Sequence, residues 1–176
     1  MNKLNSKQLR VSEPSEQDIG KISRNPIYLV LDNVLDTYNI GSLFRLADAI
    51  AAEKVFICGI SEYPPNSRIH KAAVGTESWT AWEKRDSALE VVKELKVKGV
   101  KIISVEQNEN SISYKDLVSP FPCAVVIGHE TDGVSKEVLA ESDIVVELPM
   151  WGINKSLNVW GTAAVTCYKI LENLGR

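Results

Sequence analysis

Five short, nearly continuous apolar runs constrain this chain more than any other feature. They are "IYLVL" (27–31), "KVFIC" (54–58), "VKIISVE" (100–106), "CAVVIG" (123–128) and "DIVVEL" (143–148). A strand that is apolar on both faces must be covered on both faces, which is the habit of parallel sheets. Between the runs the period becomes helical. "NIGSLFRLADAIAA" (39–52) puts Ile40, Leu43, Phe44, Ala47, Ile50 and Ala51 on one helical face. "SALEVVKELKVKG" (87–99) predicts an amphipathic helix ending at Gly99, "SKEVLAES" (135–142) another, and "SLNVWGTAAVTCYKILENL" (156–174) a closing helix. The alternation implies an α/β fold, a parallel sheet of five or six strands with helices on both faces. Residues 1–26, with Pro14 and Pro26 as breakers, read as a polar extension holding a short helix around 15–23. Residues 27–176 read as one domain. Within it, residues 59–84 read as a long irregular segment with a turn of helix near 69–74.

Composition narrows the function classes. A net charge of −3 excludes a uniformly basic nucleic-acid binder. The charge is uneven: residues 102–147 carry 2 Lys+Arg against 9 Asp+Glu. Any RNA contact therefore needs a local basic patch. No apolar run reaches the ~18 residues of a membrane span, and the first residues lack a secretory core, so the expected location is cytoplasmic. Cys58, Cys123 and Cys167 each sit in apolar stretches with no CxxC, and only two histidines accompany them. They read as buried free thiols, with no metal site expected.

In open parallel sheets ligands bind beyond the carboxyl ends of strands. Three such ends carry Gly and small polar residues: "DNVLDTYNIGSLFR", "GHETDGVS" and "PMWGINKSLN". Each also has an ordinary reading. Asn39 can cap the helix it opens, Ser135 can cap the next, and Ser156 can cap the last with Asn158 in its first turn. Arg45 lies off the apolar face of its helix and can simply be solvated. No GxGxxG or GxxxxGK[ST] is present, which weakens dinucleotide and P-loop readings.

In order, the three segments resemble the three motifs of the SpoU family, RNA ribose 2′-O-methyltransferases of the knotted SPOUT class. The first is Asn39-Ile40-Gly41-Ser42-Leu43-Phe44-Arg45-Leu46-Ala47-Asp48-Ala49. The second is Val126-Ile127-Gly128-His129-Glu130-Thr131-Asp132-Gly133-Val134-Ser135. The third is Leu148-Pro149-Met150, Gly152, then Ser156-Leu157-Asn158-Val159. The resemblance runs from about Ile27 to Leu174. It implies a C-terminal deep trefoil knot whose loops hold S-adenosylmethionine. Ile127, Leu148, Met150 and Leu157 would enclose adenine and ribose, with Gly128 and Gly152 supplying backbone hydrogen bonds and Glu130 and Ser156 polar contacts. It implies functional roles for Arg45, Glu130, Ser156 and Asn158, with Asn39 in support. It also implies a homodimer in which the arginine enters a site completed by the other subunit.

The chemistry leaves Arg45 two roles. It can act as general base, which needs a guanidinium shifted far below its usual ~12 or more, or it can hold an RNA phosphate and polarise the hydroxyl. Glu130 is expected to orient Asn39 or Arg45 rather than take the proton. His129 is the only conventional base in the motif loops. Two departures stand out: Trp160-Gly161 follow Asn-Val in the third motif, and Ile50-Ala51-Ala52 end the first. Gly161 points to close packing of the last helix on the knot or a dimer partner. Some relatives carry an N-terminal RNA-binding domain; here residues 1–26 are expected to form only a tail. RNA selection is thus expected from the tail, the 59–84 segment with Arg68, His70 and Lys71, and the dimer surface. Trp79 and Trp82 can stack on bases or pack inside, as aromatics usually do. Lys84, Arg85, Lys93, Lys96, Lys98 and Lys101 read as a solvated face. The resemblance implies methylation of a structured RNA, tRNA ahead of rRNA. The rivals are a non-catalytic knotted RNA-binding dimer, a methyltransferase acting on a base, and an unrelated nucleotide-binding enzyme.

Overall fold

A computed structural model describes residues 14–118 and 120–175. Half of the expected tail, residues 1–13, lies outside the described residues. The described elements, in chain order, are α1 (Glu16–Gly20), β1 (Asn25–Asp32), α2 (Thr37–Ala49), β2 (Ala52–Cys58), α3 (Ser67–Ala73), β3 (Trp82–Arg85), α4 (Ala88–Val97), β4 (Lys101–Val105), β5 (Ile112–Ser113), β6 (Cys123–Ile127), α5 (Lys136–Glu141), β7 (Ile144–Glu147) and α6 (Val159–Asn173).

All described strand pairs are parallel, and the seven strands lie in the order β3-β2-β1-β6-β4-β7-β5. The strand count exceeds the five or six expected. The two extra strands carry no apolar run: β3 is Trp-Glu-Lys-Arg at one edge, and β5 has two residues at the other.

Alternation along the strands separates two cores. Ile27, Leu29 and Leu31 of β1 pack with Cys123, Val125 and Ile127 of β6 beneath α2 and α6. Val30, Phe56, Ala124 and Val126 face the other way, onto Val91, Val92 and Leu95 of α4 and Val138 of α5. Each large side chain so buried contributes roughly 1.5–3 kcal/mol. The three cysteines are buried thiols.

Several boundaries differ from the sequence reading. Asp36, not Asn39, caps α2 by accepting from the Tyr38 N–H, so the helix begins two residues earlier and Asn39 sits inside it. Asn158, not Ser156, caps α6 by accepting from the Trp160 N–H at 3.0 Å. Ser135 occupies the cap position of α5 but makes no capping bond. The extension's helix is shorter than expected. In contrast, the turn near 69–74 is a full helix, α3, capped by Asn66. Gly41 lets α2 and α3 touch: a Cβ there would lie 2.5 Å from Ala72 Cβ and 2.6 Å from the Ile69 carbonyl. The basic face around α4 is partly neutralised rather than free, since Arg85 pairs with Glu94, Lys96 with Glu141 and Lys101 with Asp143. No described helix is long and apolar enough to cross a membrane.

Candidate functional site

The sheet register builds the site. Leu31 pairs with Ile127, Ile127 with Val105, and Val105 with Val146. Four neighbouring strands therefore end level. The next residues, Asp32, Gly128, Glu106 and Glu147, stand side by side along one edge, at the carboxyl ends where open parallel sheets bind ligands.

Carboxylates stitch the loops together above that edge. Glu130 accepts from the Leu35 N–H (3.1 Å), the Asp36 N–H (3.0 Å) and the Asn39 side-chain amide (2.8 Å). Asp32 accepts from the Ser135 N–H at 2.8 Å, and Glu106 from the Val134 N–H at 2.9 Å. The backbone N–H groups of Val134 and Ser135, which lead into α5, are thus satisfied by carboxylates from other strands. Burial of Glu130 disfavours its charge, but the bonds from Asn39, Leu35 and Asp36 outweigh burial and hold its carboxyl below the usual glutamate value.

The loop after β6 folds back on itself. His129 and Gly133 exchange backbone hydrogen bonds of 3.0 and 2.9 Å. A Cβ on Gly128 would lie 2.1 Å from the Gly133 carbonyl carbon, so that residue has no room for a side chain. His129 Nδ1 accepts from the Thr131 and Asp132 N–H groups at 3.0 and 3.1 Å. Its proton in the neutral form is then assigned to Nε2.

These loops enclose a cleft of about 190 Å³. Of the expected cofactor residues, Ile127, Gly128, Glu130, Leu148, Met150, Ser156 and Leu157 line it. Gly152 does not: it lies in the exposed stretch 151–158, with nothing within 4 Å of its would-be Cβ. Glu106, Gln107, Thr131, Glu147 and Lys155 line the cleft without having been singled out from sequence. Glu106 and Glu147 had been read as strand residues, although their places at strand ends were the available signal.

The expected catalytic residues divide. Asn39 and Glu130 are hydrogen-bonded to each other, and Ser156 lines the cleft. Asn158 is engaged as the cap of α6. Arg45 is exposed on α2, outside the cleft, without a hydrogen bond or ion pair to the described residues. Arg68, His70 and Lys71 are exposed together on α3, with His70 Nδ1 2.5 Å from the buried Glu77 carboxylate. Trp79 and Trp82 pack: the Trp79 indole donates to Asp48, and Trp82 meets Phe44 edge-on. No cluster of His, Cys, Asp and Glu suited to a metal occurs among the described residues.

Comparison with known proteins decides the family. The model of the SpoU rRNA Methylase family matches residues 26–168. The chain belongs to this family. Among its curated SpoU relatives is the tRNA (guanosine(18)-2′-O)-methyltransferase of Escherichia coli, 27% identical over 142 residues that cover 79% of this chain and 60% of that protein. The chain spans 57% and 60% of the length of the first two such relatives. Among solved structures, the A. aeolicus TrmH/SpoU tRNA modifying enzyme superposes with a TM-score of 0.80 at 22% identity, covering 96% of this chain and 82% of that one. The rRNA methyltransferase of Sinorhizobium meliloti, solved with AdoMet bound, gives 0.78 at 21% identity, covering 94% and 60%. These likenesses establish that the parallel α/β architecture is the SpoU fold.

Proposed function

We propose that this SpoU-family protein transfers a methyl group from S-adenosylmethionine to a ribose 2′-hydroxyl of a structured RNA, with tRNA favoured over rRNA. One observation carries the reading: Glu130, at the rim of the strand-end cleft, holds Asn39 and the backbone of the 35–36 loop, so the first two motifs form one unit beside the cleft.

The cleft residues fit the cofactor. Ile127, Leu148, Met150 and Leu157 offer apolar surface to an adenosine. Gly128 lets the backbone approach closely. The carboxylates face a ligand whose sulfonium and ammonium are cationic. That sulfonium is what makes the methyl group transferable; the protein must bring the hydroxyl into line with it, and such positioning can supply about 7–11 kcal/mol. The threading of the C-terminus into a trefoil knot belongs to the same reading. It is supported by β6 lying between β1 and β4, both earlier in the chain.

A homodimer completes the proposed site. Arg45 is six residues past Asn39, roughly 240° around the helix, and points away from its own cleft region. Helix α2 packs beside α6. The outer face of α6 carries Trp160, Gly161, Ala164, Val165 and Tyr168 on one stripe, with Trp160 43% and Tyr168 53% exposed. Among the described residues, a Cβ on Gly161 would meet only Leu157 within 4 Å, at 3.8 Å. The tight packing expected there falls to a second subunit, which would bring Arg45 of one copy to the cleft of the other. The 27–176 unit serves as the methyltransferase domain, with the preceding residues as an extension.

The test is methyl transfer from labelled S-adenosylmethionine to unmodified total RNA, followed by digestion to nucleosides. Label on a ribose 2′-oxygen, abolished in Arg45→Ala, is the expected result. Label on a base, or cofactor binding with transfer to no RNA, would refute the reading.

A further inference from the structure

The cleft is anionic: among the described residues that line it, three carboxylates face one lysine. Val105 and Val146 are register partners, so the backbones of Glu106 and Glu147 follow on adjacent strands, about 4.8 Å apart by strand spacing. Two negative side chains on neighbouring strands raise each other's energy unless a cation comes near. Glu130 adds a third carboxylate to the lining, and Lys155 is the one Lys or Arg among the described lining residues.

The partners of the three carboxylates are all neutral. Glu106 accepts from the Val134 and Gln107 N–H groups, Glu130 from the Leu35 and Asp36 N–H groups and the Asn39 amide, and Glu147 from the Ser111 hydroxyl. None of the three joins an ion pair among the described residues. Elsewhere the same acidic segment is neutralised, Glu141 by Lys96 and Asp143 by Lys101. The cleft thus gathers three carboxylates that make no ion pair among the described residues.

We infer that this trio selects its ligand by charge: the cleft holds cationic S-adenosylmethionine more tightly than its product S-adenosylhomocysteine, with Glu106 and Glu147 as specificity-determining residues. The inference rests on the reading of the cleft as the cofactor site. In the reaction the ribose O–H bond and the S–CH3 bond break, an O–CH3 bond forms, and a proton leaves. The sulfonium takes the bonding pair and becomes a neutral thioether. The ligand thus loses one positive charge at the moment its methyl departs. Repulsion among the carboxylates returns, and release of the product is favoured.

The experiment is calorimetric titration of the full chain with S-adenosylmethionine and S-adenosylhomocysteine, at low and high salt. The expected result is several-fold tighter binding of S-adenosylmethionine, with a preference that shrinks as salt rises. Glu147→Gln keeps an acceptor for Ser111 and removes the charge. It lowers the preference about threefold, the scale of a nearby unit charge in a wet site; the ammonium is common to both ligands and drops out of the ratio, and an unchanged unfolding temperature reports an intact fold. Glu106→Gln does the same, while Glu137→Gln, exposed and outside the cleft, changes nothing. Equal wild-type affinities, or a preference unmoved in both cleft variants, overturn the charge selection and leave the cofactor reading standing. Failure of the wild-type chain to bind either ligand overturns both.

Discussion

The side-chain amide of Asn39, inside α2, donates to the carboxylate of Glu130, beyond the end of β6, across 2.8 Å. The two residues are 91 positions apart in the chain. With the Leu35 and Asp36 N–H groups, this bond makes Glu130 the pin that joins two loops. Replacing Glu130 with alanine strands three donors, and the unfolding free energy falls by about 1–3 kcal/mol in urea titrations. Glu130→Gln, which can still accept, loses less.

The same carboxylate gives a pH dependence. Its folded pKa lies below the ordinary 4.5. Between the two values the unfolded chain binds more protons, so the stability Glu130 contributes is complete above 4.5 and is lost as pH falls through the folded value. Denaturation of wild type and Glu130→Gln over a pH series checks this: the gap between them is constant above 4.5 and narrows below it.

In the proposed reaction His129 serves the loop rather than the proton transfer. Its Nδ1 holds two backbone N–H groups, a turn-forming task that an asparagine side-chain oxygen also performs. His129→Asn retains methyl transfer within a few-fold, whereas loss of a general base costs about 10²–10⁴. Nitrogen chemical shifts of the imidazole show the proton on Nε2.

Two glycines predict opposite outcomes. Gly41→Ala drives a methyl into the α2–α3 contact and destabilises by about 1–3 kcal/mol. Gly161→Ala meets only Leu157 among the described residues, at ordinary van der Waals distance, and gains helix propensity, stabilising the isolated fold by up to about 1 kcal/mol. In the proposed dimer the same methyl enters the interface. Sedimentation therefore shows weaker self-association alongside a higher unfolding temperature.

The thiols are inert in the folded state. Burial, aided by Asp32, pushes Cys58 up to about 12, and burial raises Cys167 as well. Alkylation at neutral pH proceeds only after denaturation.

What the sequence showed and what it hid follow from how each signal is encoded. β1, β2, β4, β6 and β7 are runs of apolar residues, and burial on both faces is written directly into such runs. β3 is half-buried and charged, so only its pairing with β2 defines it. α3 buries just Ile69 and Ala73, one turn apart, too little periodicity to extend the expected turn to Ser67. The Asn39–Glu130 contact could not come from spacing, because it depends on β1 and β6 being neighbours in the sheet. Glu106 and Glu147 escaped notice because an acidic residue at the end of an apolar run reads as the strand's last residue. Arg45 stood out by resemblance alone, since an exposed arginine on a helix has no physical signature of its own.

The position of β6 governs how this chain can be born. The ribosome delivers β1 and β4 first, yet the strand that separates them emerges some twenty residues after β4. Until it arrives, two apolar strands must wait unpaired along the edges that will face it, or pair with each other wrongly. The glycine loop and the cleft are carried on that late strand. In a nascent chain the lining of the cleft therefore stays divided until the middle of its own sheet has been filled.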